Sequence, residues 1–445
     1  MDTPICDFVR RYSESNALRL HMPGHKGQSI LGMEELDITE ISGADSLYEA
    51  NGIIKESEEN ASSLFGCKTF YSTEGSSLCI RAMLYLAVLY AKQQNKKPLI
   101  LAGRNAHKTF LSAAALLDFD IEWLYPQNSE SYLSCNITAE ELENAIKKHN
   151  PSAVYLTSPD YLGNVADIRM LSEVCRNSSV LLIVDNAHGA YLKFLPESKH
   201  PIDLGADICC DSAHKTLPVL TGGAYLHISP HAPEIFIKNA KDALALFGST
   251  SPSYIIMQSL DAANKYISDG YKDELTVFTE RIEELKTALT AHKFSFIGNE
   301  PLKLAINTKK YGYYGFEFAD ILHKKGLVCE FCDPDFAVMM LTPETEVDGL
   351  KKIKRILISI PKKEEITDKP PIPRIAETAV SVREACFSDS ETVPITESMG
   401  RILSTATIAC PPAVPIVVCG ERINADAIRC FEYYGIKECK VIKEN

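Results

Sequence analysis

Between residues 98 and 229 the chain repeats one pattern: a short, continuous apolar run closed by a polar turn. The runs are PLILAG (98–103), IEWLY (121–125), AVYLTSP (153–159), VLLIVDNAH (180–188), ADICCDS (206–212) and GAYLHIS (223–229). Runs that are continuous rather than alternating predict strands buried on both faces of a largely parallel sheet. Helical patterns lie between them. In SSLCIRAMLYLAVLYAK (76–92), Ile80, Met83, Leu84, Ala87, Val88 and Ala91 fall on one helical face. In TAEELENAIKKHN (138–150), Thr138 and Glu141 have capping-box spacing. Strands alternating with helices predict an α/β, doubly wound large domain over residues 61–265.

Around this block the pattern changes. The first 60 residues show no sustained period and read as an arm with loops. Residues 266–361 repeat the α/β style on a smaller scale, with a long charged helix in YKDELTVFTERIEELKTALTAH (271–292) and a closing helix in VDGLKKIKRIL (347–357). KKEEITDKPPIP (362–373) combines charge with three prolines and reads as a linker. Residues 374–445 are then a small C-terminal domain.

Bulk numbers narrow the class. With 445 residues the chain exceeds one ordinary core, and 45% hydrophobic with 24% charged residues is a globular composition. The longest apolar stretch, near Ala82–Ala91, is far short of the ~20 residues a membrane span needs. MDTPICDFVRRYSES lacks the basic start and apolar run of a signal peptide, so a cytoplasmic protein is expected. A net charge of −13 argues against a nucleic-acid partner, which would require a basic face. The 14 cysteines are scattered, and the lone C-x-x-C at Cys329 and Cys332 has no partner pair for zinc, so reduced thiols are expected and no metal.

The candidate chemistry sits at two strand ends. VDNAHGAY (184–191) and DSAHKT (211–216) each place polar residues where ligands bind in open α/β sheets, and Asp185 and Lys215 are 30 residues apart. Pyridoxal phosphate (PLP) demands a lysine to capture its aldehyde and a carboxylate to keep its pyridine nitrogen protonated. Asp185 and Lys215 meet both demands. Its phosphate needs donors with small side chains at a helix start, and TEGSS (73–77) opens the helix described above, with Gly75, Ser76 and Ser77 in place. Ser212 and His214, flanking the lysine, add further donors. Singly these features are ordinary caps and turn residues; their order and spacing together carry the reading.

With these pieces in view the chain resembles the bacterial ornithine/lysine/arginine decarboxylases of PLP fold type I. The matching motifs are LHMPGHKG (20–27), ISGADSL (41–47), LFGCKTFYSTEGSS (64–77), GRNAHKT (103–109), TSPDYLGN (157–164), VDNAHGAY, DSAHKTLPVLTGGA (211–224), GSTSPSY (248–254) and CPPAVPIVVCGERI (410–423). The resemblance is to the short form, without an N-terminal wing domain. It implies the aspartate aminotransferase fold, with a mostly parallel sheet in the large domain, a small α/β domain and a small C-terminal α+β domain. It implies PLP-dependent decarboxylation of arginine, lysine or ornithine to the amine, a step of polyamine biosynthesis, with arginine the first choice.

Carried over by position, the resemblance implies that Lys215 is the Schiff-base lysine and Asp185 the partner of the ring nitrogen. His107 should stack on the ring, Ala187 pack beneath it and His188 lie beside ring and substrate; Lys215 or His188 is then the proton donor. Gly75, Ser76, Ser77, Ser212 and His214 should contact the phosphate. Thr250 and Ser251 should reach the phosphate of a neighbouring subunit, which makes the active unit a homodimer or higher. Glu421 should meet the distal cationic group of the substrate. The chain departs from the family at Glu74 (usually Asn), Gln28 (usually Gly), Cys410-Pro-Pro-Ala413 (usually Tyr-Pro-Pro-Gly) and Cys419-Gly-Glu (usually Pro-Gly-Glu). Asp185 and Lys215 would equally serve an aminotransferase or lyase, and a silent regulatory relative would share the fold.

Overall fold

The computed structural model describes residues 1–127, 131–405 and 413–444. Seven strands follow in chain order: β1 (Lys68–Ser72), β2 (Leu99–Gly103), β3 (Asp120–Leu124), β4 (Ala153–Thr157), β5 (Leu181–Asp185), β6 (Ile208–Asp211) and β7 (Ala224–Ile228). They fall into two compact units, each assembled from separate stretches of chain: Met1–Lys96 with Ile168–Leu275, and Lys97–Asp167 with Thr276–Asn445.

In the first unit the strand order is β1-β7-β6-β5. β5 and β6 are parallel, whereas β7 runs antiparallel to both β6 and β1. The register pairs Ile183 with Ile208 and Asp185 with Cys210, so the ends of β5 and β6 stop side by side. All residues of β5, β6 and β7 are buried, which is why their sequences show no polar alternation. The helix Gly75–Gln93 buries the predicted face and also Leu78, Cys79, Ala82 and Leu86, so it is enclosed rather than half-exposed.

The stretch expected to be arm and loops contains two helices, Pro4–Glu14 and Ile53–Phe65. The first has proline in its opening turn, and the Asp261 carboxylate accepts the backbone N–H groups of Ile5 and Cys6, each at 3.0 Å. A distant carboxylate therefore satisfies donors that a helix start leaves open, a contact that no local pattern announces. Gly66, at φ +68°, ends the second helix in the left-handed conformation.

In the second unit β2 lies between β4 and β3, with both pairings parallel. The helix Ala139–His149 begins with the capping box anticipated at Thr138 and Glu141. A four-stranded antiparallel sheet follows, formed by β8 (Phe296–Ile297), β9 (Lys303–Asn307), β10 (Phe331–Cys332) and β11 (Phe336–Met340) in the order β10-β11-β9-β8. Residues 361–377 adopt neither helix nor strand. At the C-terminus β12 (Ser390–Pro394) and β13 (Glu438–Ile442) pair antiparallel around a core that includes Leu403, Val417, Phe431 and Val441. No helix among the described residues is long and apolar enough to cross a membrane.

Candidate active site

Eleven of the thirteen residues singled out by sequence lie in the first unit, where the strand ends bring the chemistry together. Asp185 terminates β5 and is buried; its Oδ1 accepts the N–H of Ala187 at 3.2 Å and lies 3.8 Å from the Cys210 thiol, which donates to it. Three residues further on, His188 is buried and its Nε2 stands 3.1 Å from Nζ of Lys215. Lys215 itself sits on the short helix Ala213–Thr216 that follows β6. The acid and the amine thus descend from two adjacent parallel strands.

The helix Gly75–Gln93 starts beside them. No side chain caps its N-terminus, Gly75 has φ +70°, and the Gly75 N–H donates to Gly222 O at 2.7 Å. Ser212 Oγ donates to Ser76 Oγ at 2.8 Å, which joins the lysine strand to the helix start. His214 donates from Nδ1 to Gly223 O at 3.0 Å, and its ring edge lies 3.9 Å from where a side chain at Gly75 would begin. Burial, aided by neighbouring Lys215, pushes the His214 imidazole below its ordinary pKa despite that backbone bond. Thr250 and Ser251 are exposed on a loop held at its head by Glu74, whose carboxylate accepts the Ser249 N–H at 2.5 Å.

Under the two strand ends lies a network that sequence reasoning did not assign. Asp211 is buried and accepts at Oδ2 from His200 Nε2 and His227 Nε2, both at 3.1 Å, and at Oδ1 from Asn186 Nδ2 at 2.6 Å. Burial alone would raise the Asp211 pKa, but the two imidazoles outweigh it and hold the carboxyl well below its usual range. Burial alone would lower His227; Asp211 instead raises it. Asn186 is thereby fixed directly after Asp185. The available signals were Asp211 and Asn186, inside motifs already noted, and His227, a polar residue in an apolar run.

The remaining two candidates belong to the second unit. His107 caps the helix Lys108–Leu117: its Nδ1 accepts from the Thr109 N–H at 3.2 Å and Oγ1 at 2.9 Å, which leaves the ring proton on Nε2. Glu421 is 2% exposed, and its Oε2 accepts from the Val418 N–H at 2.7 Å and from Arg104 Nη2 at 3.3 Å. Burial raises its pKa and Arg104 opposes the rise. Arg104 also donates to Pro415 O and Ile416 O and lies over the ring of Trp123, 5.5 Å from its centroid. Arg104 stands in the GRNAHKT motif, yet sequence reading gave it no role. Of the departures from the family, Cys410, Pro411 and Pro412 lie outside the described residues.

Comparison with known proteins sets these features in context. A family model described as Orn/Lys/Arg decarboxylase, major domain, matches residues 3–299, and one described as Orn/Lys/Arg decarboxylase, C-terminal domain, matches residues 364–439. The uncharacterized protein YaaO of Bacillus subtilis (strain 168) is 28% identical over 96% of this chain and 93% of its own length. An arginine decarboxylase of Halalkalibacterium halodurans is also 28% identical, over 95% of this chain and 91% of its own. Among solved structures, lysine decarboxylase A from Pseudomonas aeruginosa superposes with a TM-score of 0.82 at 16% identity, covering 99% of this chain and 80% of that one, a likeness of fold.

Proposed function

The chain belongs to the Orn/Lys/Arg decarboxylase family of PLP-dependent amino-acid decarboxylases, and on that premise we propose that it removes CO₂ from a basic amino acid with Lys215 as the anchor of the cofactor. The observation that carries this reading is the 3.1 Å contact between Lys215 Nζ and His188 Nε2, three residues beyond the buried Asp185. The residues fit the group. An uncapped helix start, a left-handed Gly75 with the His214 ring at contact distance from where a side chain would begin, and the linked Ser76 and Ser212 hydroxyls form a cradle for a phosphate; Ser77 extends it.

When bound, the cofactor supplies an electron sink for the pair left on the α-carbon as the carboxylate departs. Asp185, oriented by the Ala187 N–H and the Cys210 thiol, is the carboxylate that would hold a positive charge on the ring nitrogen, and Ala187 would offer the ring a small side chain to pack on. Lys215 and His188, within hydrogen-bond reach of each other, can pass a proton between Nζ and Nε2 and so deliver one to the α-carbon. With its Nδ1 committed to Gly223 O, His214 carries a proton on Nε2 only as imidazolium, a state that a phosphate dianion favours. We assign Thr250 and Ser251, both exposed, to the phosphate of a second copy of the chain, and His107, by its place in the family motif, to the ring face.

For specificity we assign Glu421. Its Oε2 is taken up by Val418 and Arg104, and Oε1, which enters neither bond, is the atom for the substrate's distal cation. Arginine is the first choice of substrate, because a relative alignable over 95% of this chain bears the name arginine decarboxylase. Incubating the protein with arginine, lysine and ornithine and measuring CO₂ and amine identifies the substrate. Release of a 2-oxo acid without CO₂ would instead mark an aminotransferase. Glu421→Gln is expected to raise KM for the preferred substrate about 10- to 100-fold while kcat changes little, the size of one lost charge-assisted hydrogen bond. A variant with unchanged KM would remove Glu421 from the substrate site.

A further inference from the structure

Cys386 and Cys419 face each other with their sulfurs 3.4 Å apart. Cys386 lies half-buried on the short helix Val382–Phe387, and Cys419 is buried in the turn that leads into Glu421. Cys419 stands where the resembled family usually has proline, so the pair is a feature of this chain rather than of the motif. We propose that Cys386 and Cys419 are an oxidative modification site, closing to a disulfide under a hydroperoxide and shifting the turn that holds Glu421.

The chemistry balances with the oxidant named. The Cys386 thiolate attacks the terminal peroxide oxygen, breaking the O–O bond and giving a sulfenic acid and an alkoxide, or hydroxide where the oxidant is hydrogen peroxide, which takes up a proton. The Cys419 thiol then attacks that sulfur and expels water, so two thiols and one hydroperoxide become one disulfide, one alcohol or water, and one water. The hydrogen bond from Cys419 draws the Cys386 thiol down to about 7, so its thiolate is available near neutrality.

The turn is placed to transmit the closure. A disulfide requires about 2.05 Å between sulfurs, so one side must move by more than an ångström. Gly420 cannot absorb that movement: its O accepts the N–H groups of Ala379 and Val380, its N–H donates to Leu403 O, and even a Cβ there would lie 2.4 Å from Val380 O. With Gly420 pinned, displacement of Cys419 passes to Val418 on its other side, whose N–H the Glu421 carboxylate accepts; that carboxylate also holds Arg104, and Arg104 lies over the ring of Trp123, the single tryptophan of the chain.

The test needs no activity, so its failure is separable from failure of the decarboxylase reading. The cofactor-loaded protein is treated with hydrogen peroxide, remaining thiols are alkylated, and peptides are mapped by mass spectrometry while Trp123 emission is followed. Expected are the loss of two thiols per chain, a Cys386–Cys419 linked peptide lighter by two hydrogens, and an emission change that dithiothreitol reverses. Cys386→Ser should show neither the linked peptide nor the emission change. Oxidation of Cys386 to sulfinic or sulfonic acid with Cys419 still alkylatable, or linkage of Cys419 to a different cysteine, would overturn the site. A linked peptide formed without any change in Trp123 emission would overturn the coupling to Glu421.

Discussion

Lys215→Ala abolishes the near-visible absorbance of the cofactor-loaded protein and lowers kcat by at least about 10³-fold, the scale of removing a covalent anchor that also handles protons. The expectation rests on the geometry of one unit: Lys215 Nζ has His188 within 3.1 Å, and Asp185 ends the neighbouring strand. Added amines separate the two duties of the lysine. They can replace the proton carrier in solution but not the tether, so partial recovery of rate without covalent attachment of the cofactor to the protein is the anticipated outcome. Persistence of the absorbance in the alanine variant would show that another amine holds the cofactor, and the assignment of Lys215 would fail.

Asp211→Ala is expected to destabilise the protein by about 3–5 kcal/mol, although the side chain touches no proposed substrate atom. Removing it strands three buried polar groups, His200, His227 and the Asn186 amide, and an uncompensated buried charge is costlier than the ion pair is favourable. The pH dependence follows from the two directions of shift. Asp211 is depressed, so its contribution is present above the ordinary carboxylate value of about 3.9 and is lost as pH falls through its lower folded value. His227 is raised, so its contribution is full below about 6.5 and fades as pH rises through its higher folded value. The gap between wild type and variant in urea midpoint should therefore be widest from roughly pH 4 to 6.5. A gap below about 1 kcal/mol throughout would mean that the network is not a net stabiliser.

The two cases differ in how far sequence could reach them. The positions of Asp185 and Lys215 were legible because Asp185 closes one apolar run and Lys215 follows the end of the next by four residues, on the short helix after β6. β5, β6 and β7 were legible for the same reason, since burial on both faces leaves a continuous apolar signature. β1 was not: KTFYS alternates polar and aromatic residues within a motif that drew attention to its serines, and it is a strand because β7 pairs with it along its whole length. The helix Pro4–Glu14 depends on Asp261, more than 250 positions away. The Asp211 network, the Arg104–Glu421 pair and the Cys386–Cys419 contact are likewise products of long-range packing, and local periodicity carries no trace of such partnerships. Each did leave one odd residue in view: a histidine in a buried strand, an arginine in a recognised motif, a cysteine in place of proline.

The corner formed by Gly75 and Gly222 has a consequence for how the protein acquires its cofactor. Gly75 N–H meets Gly222 O at 2.7 Å, and the space at Gly222 is so tight that a Cβ would lie 2.8 Å from Thr73 O, so the corner exists only once distant stretches of chain have docked. A half-assembled polypeptide offers no such niche to a phosphate ester. Loading is therefore thermodynamically linked to completed assembly, and by mass action a ligand at 100 times its dissociation constant adds about 2.7 kcal/mol to the native side of the balance. Vitamin supply and resistance to unfolding become one variable, and chains emerging where the vitamin is scarce meet proteases with a smaller margin.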